Sequence, residues 1–132
     1  MAKWVLPGEP HQSNAIKLKE DYASGVVELS SPFLLVEEVA NSFLKAVKLG
    51  RLSEVDAKSA LEALGGLGVE LHGPTWPNAA RALDVACGSG LTVYDASYVI
   101  LAEELKVPLI TADDTLFERA GKRCGALHIR DY

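Results

Sequence analysis

The chain has 132 residues, a length that fits one domain able to bury a sizeable core. Apolar residues make up 48% and charged residues 23%, as is typical of soluble globular proteins. No run of about 18 apolar residues and no signal-peptide pattern occurs, so we expect a cytoplasmic protein rather than a membrane or secreted one. The net charge of −5 argues against a general nucleic-acid coat, but it does not exclude an acidic site that binds phosphate through a metal ion.

Helix signals alternate with short apolar runs along the first half of the chain. A helix is predicted over residues 9–25, where Pro10 suits the first turn, and residues 26–29 are typical of a short strand. Ser31 and Pro32 are predicted to open a second helix that ends at Gly50. One broad face of this helix is apolar and is predicted to be buried: Phe33, Val36, Val39, Ala40, Phe43, Leu44 and Val47.

The second half continues the alternation. Ser53 is the predicted N-cap of a helix that runs to Gly65 and Gly66, and a helix starting at Thr75 or Pro77 ends near Gly88 and Gly90. Further strands are predicted at 69–71, 108–111 and 126–129, and further helices at 94–106 and 114–121. The inward face of helix 94–106 is predicted to be Ala96, Val99, Ile100, Ala102 and Leu105. This pattern predicts an α/β protein with a parallel sheet and helices on both faces.

Three acidic residues occupy positions typical of a ligand site. Residues 92–94 and 109–112 each look like an apolar strand that leads into an acid, Asp95 in one case and Asp113 in the other. Open α/β sheets bind their ligands at the carboxyl ends of such strands. Glu38 precedes a core position on a strongly apolar helix, where a carboxylate is costly unless a cation or a donor receives it. Carboxylates gathered in this way suit a hard divalent cation.

Each of these acids also has a purely structural explanation. Glu38 would lie partly exposed at the edge of the apolar stripe, as its neighbour Glu37 would. Asp95 would cap the helix that it opens, and either Asp113 or Asp114 would cap the next one.

The other candidate residues are a basic group, the tryptophans and the cysteines. Trp4 and Trp76 would either stack on bases or pack within the protein or at a subunit interface. Cys87 and Cys124 are predicted to be buried free thiols, and a disulfide between them is the alternative in an oxidising compartment or a hyperthermophile. One small basic group would contact RNA phosphates or only complement a helix dipole: Lys45, Lys48 and Arg51.

Three runs carry a resemblance to a known family. They are Leu-Val-Glu-Glu-Val-Ala-Asn at 35–41, Gly-Leu-Thr-Val-Tyr-Asp-Ala at 90–96 and Leu-Ile-Thr-Ala-Asp at 109–113. These runs resemble the later motifs of the PIN-domain ribonucleases, and most closely those of the VapC-type toxins of prokaryotic toxin–antitoxin pairs. Residues 2–9 resemble the stretch that follows the family's first strand, so the resemblance spans essentially the whole chain.

The resemblance implies a single PIN-like α/β domain over residues 1–132 and a metal-dependent endoribonuclease. It assigns Glu38, Asp95 and Asp113 as catalytic acids that bind Mg²⁺ or Mn²⁺, with Asp114 as an auxiliary metal ligand or simply a cap. Thr111 matches a position whose hydroxyl often faces such sites. The implied partners are an RNA substrate, a cognate antitoxin and a second copy of the chain in a homodimer.

One element of the family pattern has no counterpart here, namely the first strand and the acid that it carries. Either the true start lies upstream, which we favour, or this N-terminally truncated form is a catalytically weak or inactive PIN-like module that binds protein or RNA without cutting it. A receiver-like phosphoacceptor domain is a third alternative, suggested by Asp113-Asp114, but its paired acids would follow the wrong strand.

Overall fold

The computed structural model describes residues 1–132, except for the side chain of Lys122. The α-helices are α1 (Gln12–Ala23), α2 (Leu34–Lys48), α3 (Glu54–Gly65), α4 (Trp76–Ser89), α5 (Val93–Leu105) and α6 (Asp114–Cys124). The strands are β1 (Ser30–Pro32), β2 (Glu70–His72), β3 (Ile110–Thr111) and β4 (Leu127–His128), and short 3₁₀ helices cover Ala2–Trp4 and Ile129–Asp131. The chain falls into two compact units, Met1–Leu71 and His72–Tyr132.

The first unit is built around α2. Phe43 on this helix is 1% exposed and forms a core with a small set of apolar residues, Leu6, Val39, Ala46 and Ala57. The N-terminal segment is held to α1 by Gln12, whose side chain accepts a hydrogen bond from the Gly8 amide at 3.0 Å and donates to the Leu6 carbonyl at 2.9 Å. β1 pairs with β2 in a two-stranded sheet.

The strand predicted at 26–29 is wrong, because the strand lies at Ser30–Pro32. The amides of Val26 and Val27 both donate to the carbonyl of Asp21, which closes the C-terminus of α1, so they do not take part in a strand ladder. The predicted helix start at Ser31 and Pro32 is also wrong, because both residues belong to β1 and α2 begins at Leu34.

The broad apolar face predicted for α2 is only partly buried. Val39 and Phe43 are buried as predicted, but Phe33, Val36 and Leu44 are 48%, 41% and 49% exposed. The buried stripe follows positions 39, 43 and 46 alone. At 3.6 residues per turn, Phe33 and Leu44 lie about 100° or more around the helix from that stripe.

The second unit carries the larger core. Its buried residues come from α4, α5, α6 and the segments between them: Ala82, Val85, Leu91, Ala96, Val99, Ile100, Ala102, Leu109, Leu116 and Ala120. β3 and β4 pair in parallel, with Ile110 opposite Leu127 and Thr111 opposite His128. Of the inward face predicted for α5, only Leu105 is wrong. It is 38% exposed, because the helix ends there before the left-handed cap at Lys106.

Helix capping follows the predicted sequence signals. Ser53 caps α3 by accepting the Asp56 amide at 3.0 Å, and Thr75 caps α4 by accepting the Asn78 amide at 3.2 Å. Gly90 ends α4 in the left-handed conformation, with φ 69°.

No single helix in the described part of the chain is both long and apolar enough to cross a membrane. α4 and α5 would meet that test only as a pair, by length and composition, and the chain bends by 111° between them.

Both cysteines are free thiols. Cys87 is exposed, so its predicted burial is wrong. Cys124 is partly buried, and this burial raises the pKa of its thiol, against a smaller opposing effect of a backbone hydrogen bond from Leu109.

Candidate active site

Asp95 occupies the first turn of α5, and the predicted strand leading into it is wrong. Thr92 is the N-cap of this helix, and its hydroxyl accepts the Asp95 amide at 3.0 Å and donates to Asp95 Oδ2 at 2.7 Å. Val93 and Tyr94 are therefore exposed first-turn residues, although a β-branched residue beside an aromatic is also a strand signal. The reciprocal bonds hold the half-buried Asp95 carboxylate in one orientation.

Asp113 lies two residues after the end of β3, so it follows a strand as predicted, and it is the N-cap of α6. Its Oδ1 accepts the Leu116 amide at 2.8 Å. Its own amide donates to Thr111 Oγ1 at 3.0 Å, so the Thr111 hydroxyl supports the backbone of the acid. Of the two acids that were alternatives for this cap, Asp113 is the one that serves.

Asp114 connects α6 to the C-terminal segment. Its Oδ1 lies 3.0 Å from Arg130 Nη1 and 3.5 Å from His128 Nε2. His128 is 1% exposed, its Nδ1 accepts the Arg130 amide at 3.1 Å, and its ring packs edge-on against Phe117 with centroids 5.6 Å apart. Our sequence reasoning missed this cluster. The only local signal was a histidine inside the apolar run at 126–129.

Glu38 lies on the exposed side of α2. Its backbone carbonyl accepts the Ser42 hydroxyl at 2.9 Å. The exposed placement is the one that its structural explanation predicted. Glu38 belongs to the unit Met1–Leu71, whereas Asp95 and Asp113 both belong to the unit His72–Tyr132.

The predicted basic group is not uniform. The Arg51 side chain makes its contacts within the first unit, where its Nη2 donates to the Pro7 carbonyl at 2.9 Å and lies 3.3 Å from Glu9 Oε1. Lys45 and Lys48 are exposed in the last turn of α2, where cations complement the helix dipole.

Arg119 on α6 is a second residue that our sequence reasoning missed. Its Nη1 donates to the carbonyl of Ser89 at 3.0 Å and also to the carbonyl of Gly90. These carbonyls end α4, two or three residues before the Thr92 cap. No local sequence pattern predicts this contact, because Arg119 and its partners are about 30 positions apart in the chain.

The donor chemistry of the acids fits a hard divalent cation. The hydrogen bonds to Asp95 Oδ2 and Asp113 Oδ1 orient each carboxylate and leave its second oxygen outside these bonds. Among the residues that the structure describes, no group of three or more His, Cys, Asp or Glu side chains is arranged to hold a metal ion.

Comparison with known proteins identifies the family. The PIN domain profile matches residues 3–123. Ribonuclease VapC1 of Mycobacterium tuberculosis is 35% identical over 97 residues, which cover 72% of this chain and 70% of that protein. Ribonuclease VapC3 of Pyrobaculum aerophilum is 36% identical over 101 residues, which cover 76% and 77%.

The fold of this chain is also similar to that of a solved structure. The crystal structure of PAE2754 from Pyrobaculum aerophilum superposes with a TM-score of 0.68 at 27% identity, covering 87% of this chain and 82% of that one. The predicted α/β PIN fold and the resemblance to the VapC-type PIN proteins are thereby confirmed. The chain belongs to the PIN-domain family and, within it, to the group of the VapC proteins.

Proposed function

We propose that this chain is an endoribonuclease that hydrolyses phosphodiester bonds of RNA. One observation carries the proposal: the PIN match spans residues 3–123, which include Glu38, Asp95 and Asp113, and relatives matching about three quarters of the chain are named ribonuclease. The acids of the second unit are also held by caps, as a catalytic carboxylate requires if its oxygens are to stay in place.

We propose Glu38, Asp95 and Asp113 as the residues that hold Mg²⁺ or Mn²⁺, a set taken from the family motifs that they match. A bound cation of this kind lowers the pKa of a water molecule and neutralises charge on the scissile phosphate. Thr92 orients the Asp95 carboxylate, and the Leu116 amide orients that of Asp113. Asp114 contributes through Oδ2 at most, because its Oδ1 is paired with Arg130.

We further propose that the protein acts as the toxin of a toxin–antitoxin pair in the cytoplasm. Its antitoxin would place a basic side chain against the acids, where it would compete with the cation. Lys45 and Lys48 are exposed and would contact RNA phosphates, and the chain would work as a homodimer.

The decisive experiment compares Asp95→Asn with the wild type in an RNA cleavage assay with Mg²⁺ or Mn²⁺. Asn keeps an oxygen that can accept the Thr92 hydroxyl, so the fold should persist, and circular dichroism would verify this. Cleavage should fall on the order of 100-fold or more, because an amide is a poor substitute for an anionic metal ligand. Toxicity on expression should fall with it.

Asp84→Asn is the matched control, since Asp84 is an exposed acid on α4 of the same unit. It should cleave as the wild type does. Unchanged cleavage by Asp95→Asn would refute the assignment. A folded wild type that binds RNA but cuts none with either cation would instead establish the non-cutting module.

A further inference from the structure

We propose that Arg119 is a positioning residue, which fixes the turn that carries Thr92 and Asp95. This inference rests on the proposed function, because it assigns Arg119 a part in aligning the Asp95 carboxylate. Arg119 itself touches neither acid in the contacts that the structure describes.

Arg119 makes two hydrogen bonds at the C-terminal end of α4. A single guanidinium nitrogen of Arg119 donates to two successive carbonyls, those of Ser89 and Gly90. Helix C-termini leave their last carbonyls without intrahelical partners, and a cation there also complements the helix dipole. Arg119 therefore stabilises both the position and the direction of this turn.

The turn at Gly90 leaves space for the guanidinium group of Arg119. Gly90 has φ 69°, and a Cβ built at this position would lie 2.5 Å from Arg119 Nη1. The absence of a side chain at Gly90 thus serves two purposes, the left-handed backbone and the close approach of the guanidinium.

Hydrogen bonds and one buried side chain connect the turn at Gly90 to Asp95. The Leu91 amide donates to Ser89 Oγ at 3.3 Å, and Ser89 Oγ donates to the Val85 carbonyl at 2.7 Å. Leu91 is buried, and Thr92 then makes both bonds to Asp95. The buried Leu91 is the one residue between Gly90 and Thr92, so a shift at Gly90 is passed on to the Thr92 cap.

Arg119 also lies on the helix that a second proposed metal ligand caps. α6 begins after its N-cap Asp113, and Arg119 follows six positions later on that helix. The clamp thus relates the segment that carries Asp95 to the helix that Asp113 caps. Misplacement of a reacting group by about 1 Å can cost up to roughly 100-fold in rate.

The test compares Arg119→Gln with Arg123→Gln. Arg123 lies one turn further along α6 and pairs at 2.9 Å with Glu103, towards the other end of α5, so its loss removes an exposed arginine contact without touching the turn. In Arg119→Gln, kcat for RNA cleavage should fall on the order of 10-fold while KM stays within about two-fold. Arg123→Gln should keep both constants near the wild-type values.

The second readout needs neither RNA nor a cation. Hydrogen exchange of the Leu91 and Asp95 amides in the metal-free protein should be on the order of 10-fold faster in Arg119→Gln, and unchanged in Arg123→Gln. Arg119→Lys keeps the charge and can reach one carbonyl, so it should restore part of the kcat loss. Gly90→Ala, which displaces the arginine, should reproduce the faster exchange.

Equal exchange rates in the wild type and Arg119→Gln, or the same kcat loss in both arginine variants, would overturn the proposal. If Arg119→Gln does not fold, the comparison of Arg119→Lys with Arg123→Lys decides in the same way. Failure of the proposed function is separately visible: Asp95→Asn would then leave cleavage unchanged, whereas the exchange result for Arg119 would still stand or fall alone.

Discussion

The two compact units bury their apolar surface in different ways. In Met1–Leu71 one aromatic ring, Phe43, fills the centre of a small core. In His72–Tyr132 the core is larger, and its cluster of described buried residues contains no aromatic ring; its smallest members are Ala82, Ala96, Ala102 and Ala120. We therefore expect the first unit to be sensitive to lost volume at Phe43, and the second to be sensitive to added volume at its buried alanines.

The candidate acids follow the same division. Glu38 lies within a helix whose hydrogen-bond ladder does not need its carboxylate, whereas the Asp113 carboxylate caps α6 and the Asp95 carboxylate accepts the hydroxyl of the Thr92 cap. In the second unit, the same carboxylate would thus serve a structural role through one oxygen and leave the other oxygen for a catalytic role. Substitutions can separate these roles at Asp113, because Asn preserves the cap of α6 and Ala removes it.

The largest expected effect is that of Phe43→Ala. Loss of a fully buried aromatic ring should lower the free energy of unfolding by about 3–5 kcal/mol, measured by urea denaturation followed by circular dichroism. Phe33→Ala is the control, because Phe33, the N-cap residue of α2, is 48% exposed, and it should cost about 1 kcal/mol or less. Equal losses in the two variants would contradict the idea of a core centred on Phe43.

Ala96→Leu tests the second unit in the opposite sense. Ala96 is 0% exposed, so a larger side chain should strain the packing of α5 and cost about 1–3 kcal/mol of the free energy of unfolding. Ala80→Leu on the exposed face of α4 should change it by about 0.5 kcal/mol or less. A neutral Ala96→Leu would show that this core has spare volume.

Asp113→Ala should destabilise the protein by about 1 kcal/mol, because the Leu116 amide loses its cap. Asp113→Asn should retain nearly all of that stability, since the amide oxygen can accept the same bond. Both variants should lose RNA cleavage if Asp113 is a metal ligand. Thermal unfolding and the cleavage assay, run on the two proteins together, distinguish the structural from the chemical role.

The smallest effect is expected for Asp114→Asn. Its ion pair with Arg130 is solvent-exposed, so its loss should cost about 0.5 kcal/mol or less. Asp131→Asn, which removes a weaker contact of the same arginine at 3.8 Å, is the control. Cleavage by Asp114→Asn should stay within a few-fold of the wild type. A loss as large as that of Asp95→Asn would make Asp114 a metal ligand in its own right.

The order of helices and strands and most helix ends could be predicted from the sequence. Caps depend on bonds between residues three apart, as for Ser53 with Asp56 and Thr75 with Asn78, and such bonds form wherever the local sequence permits. The same locality explains the wrong strand before Asp95. Val93 and Tyr94 suit a strand, but Thr92 accepts the Asp95 amide three residues on and caps a helix that includes both of them.

The sequence by itself therefore determined the α/β class, the caps and the positions of the acids along the chain, because these depend on neighbours a few residues away. Only the tertiary structure decided which face of α2 is buried, which oxygen of Asp114 is paired with Arg130, and that Arg119 holds the turn before Asp95. Those contacts join residues that are distant in sequence, and their energy exists only after the helices have packed.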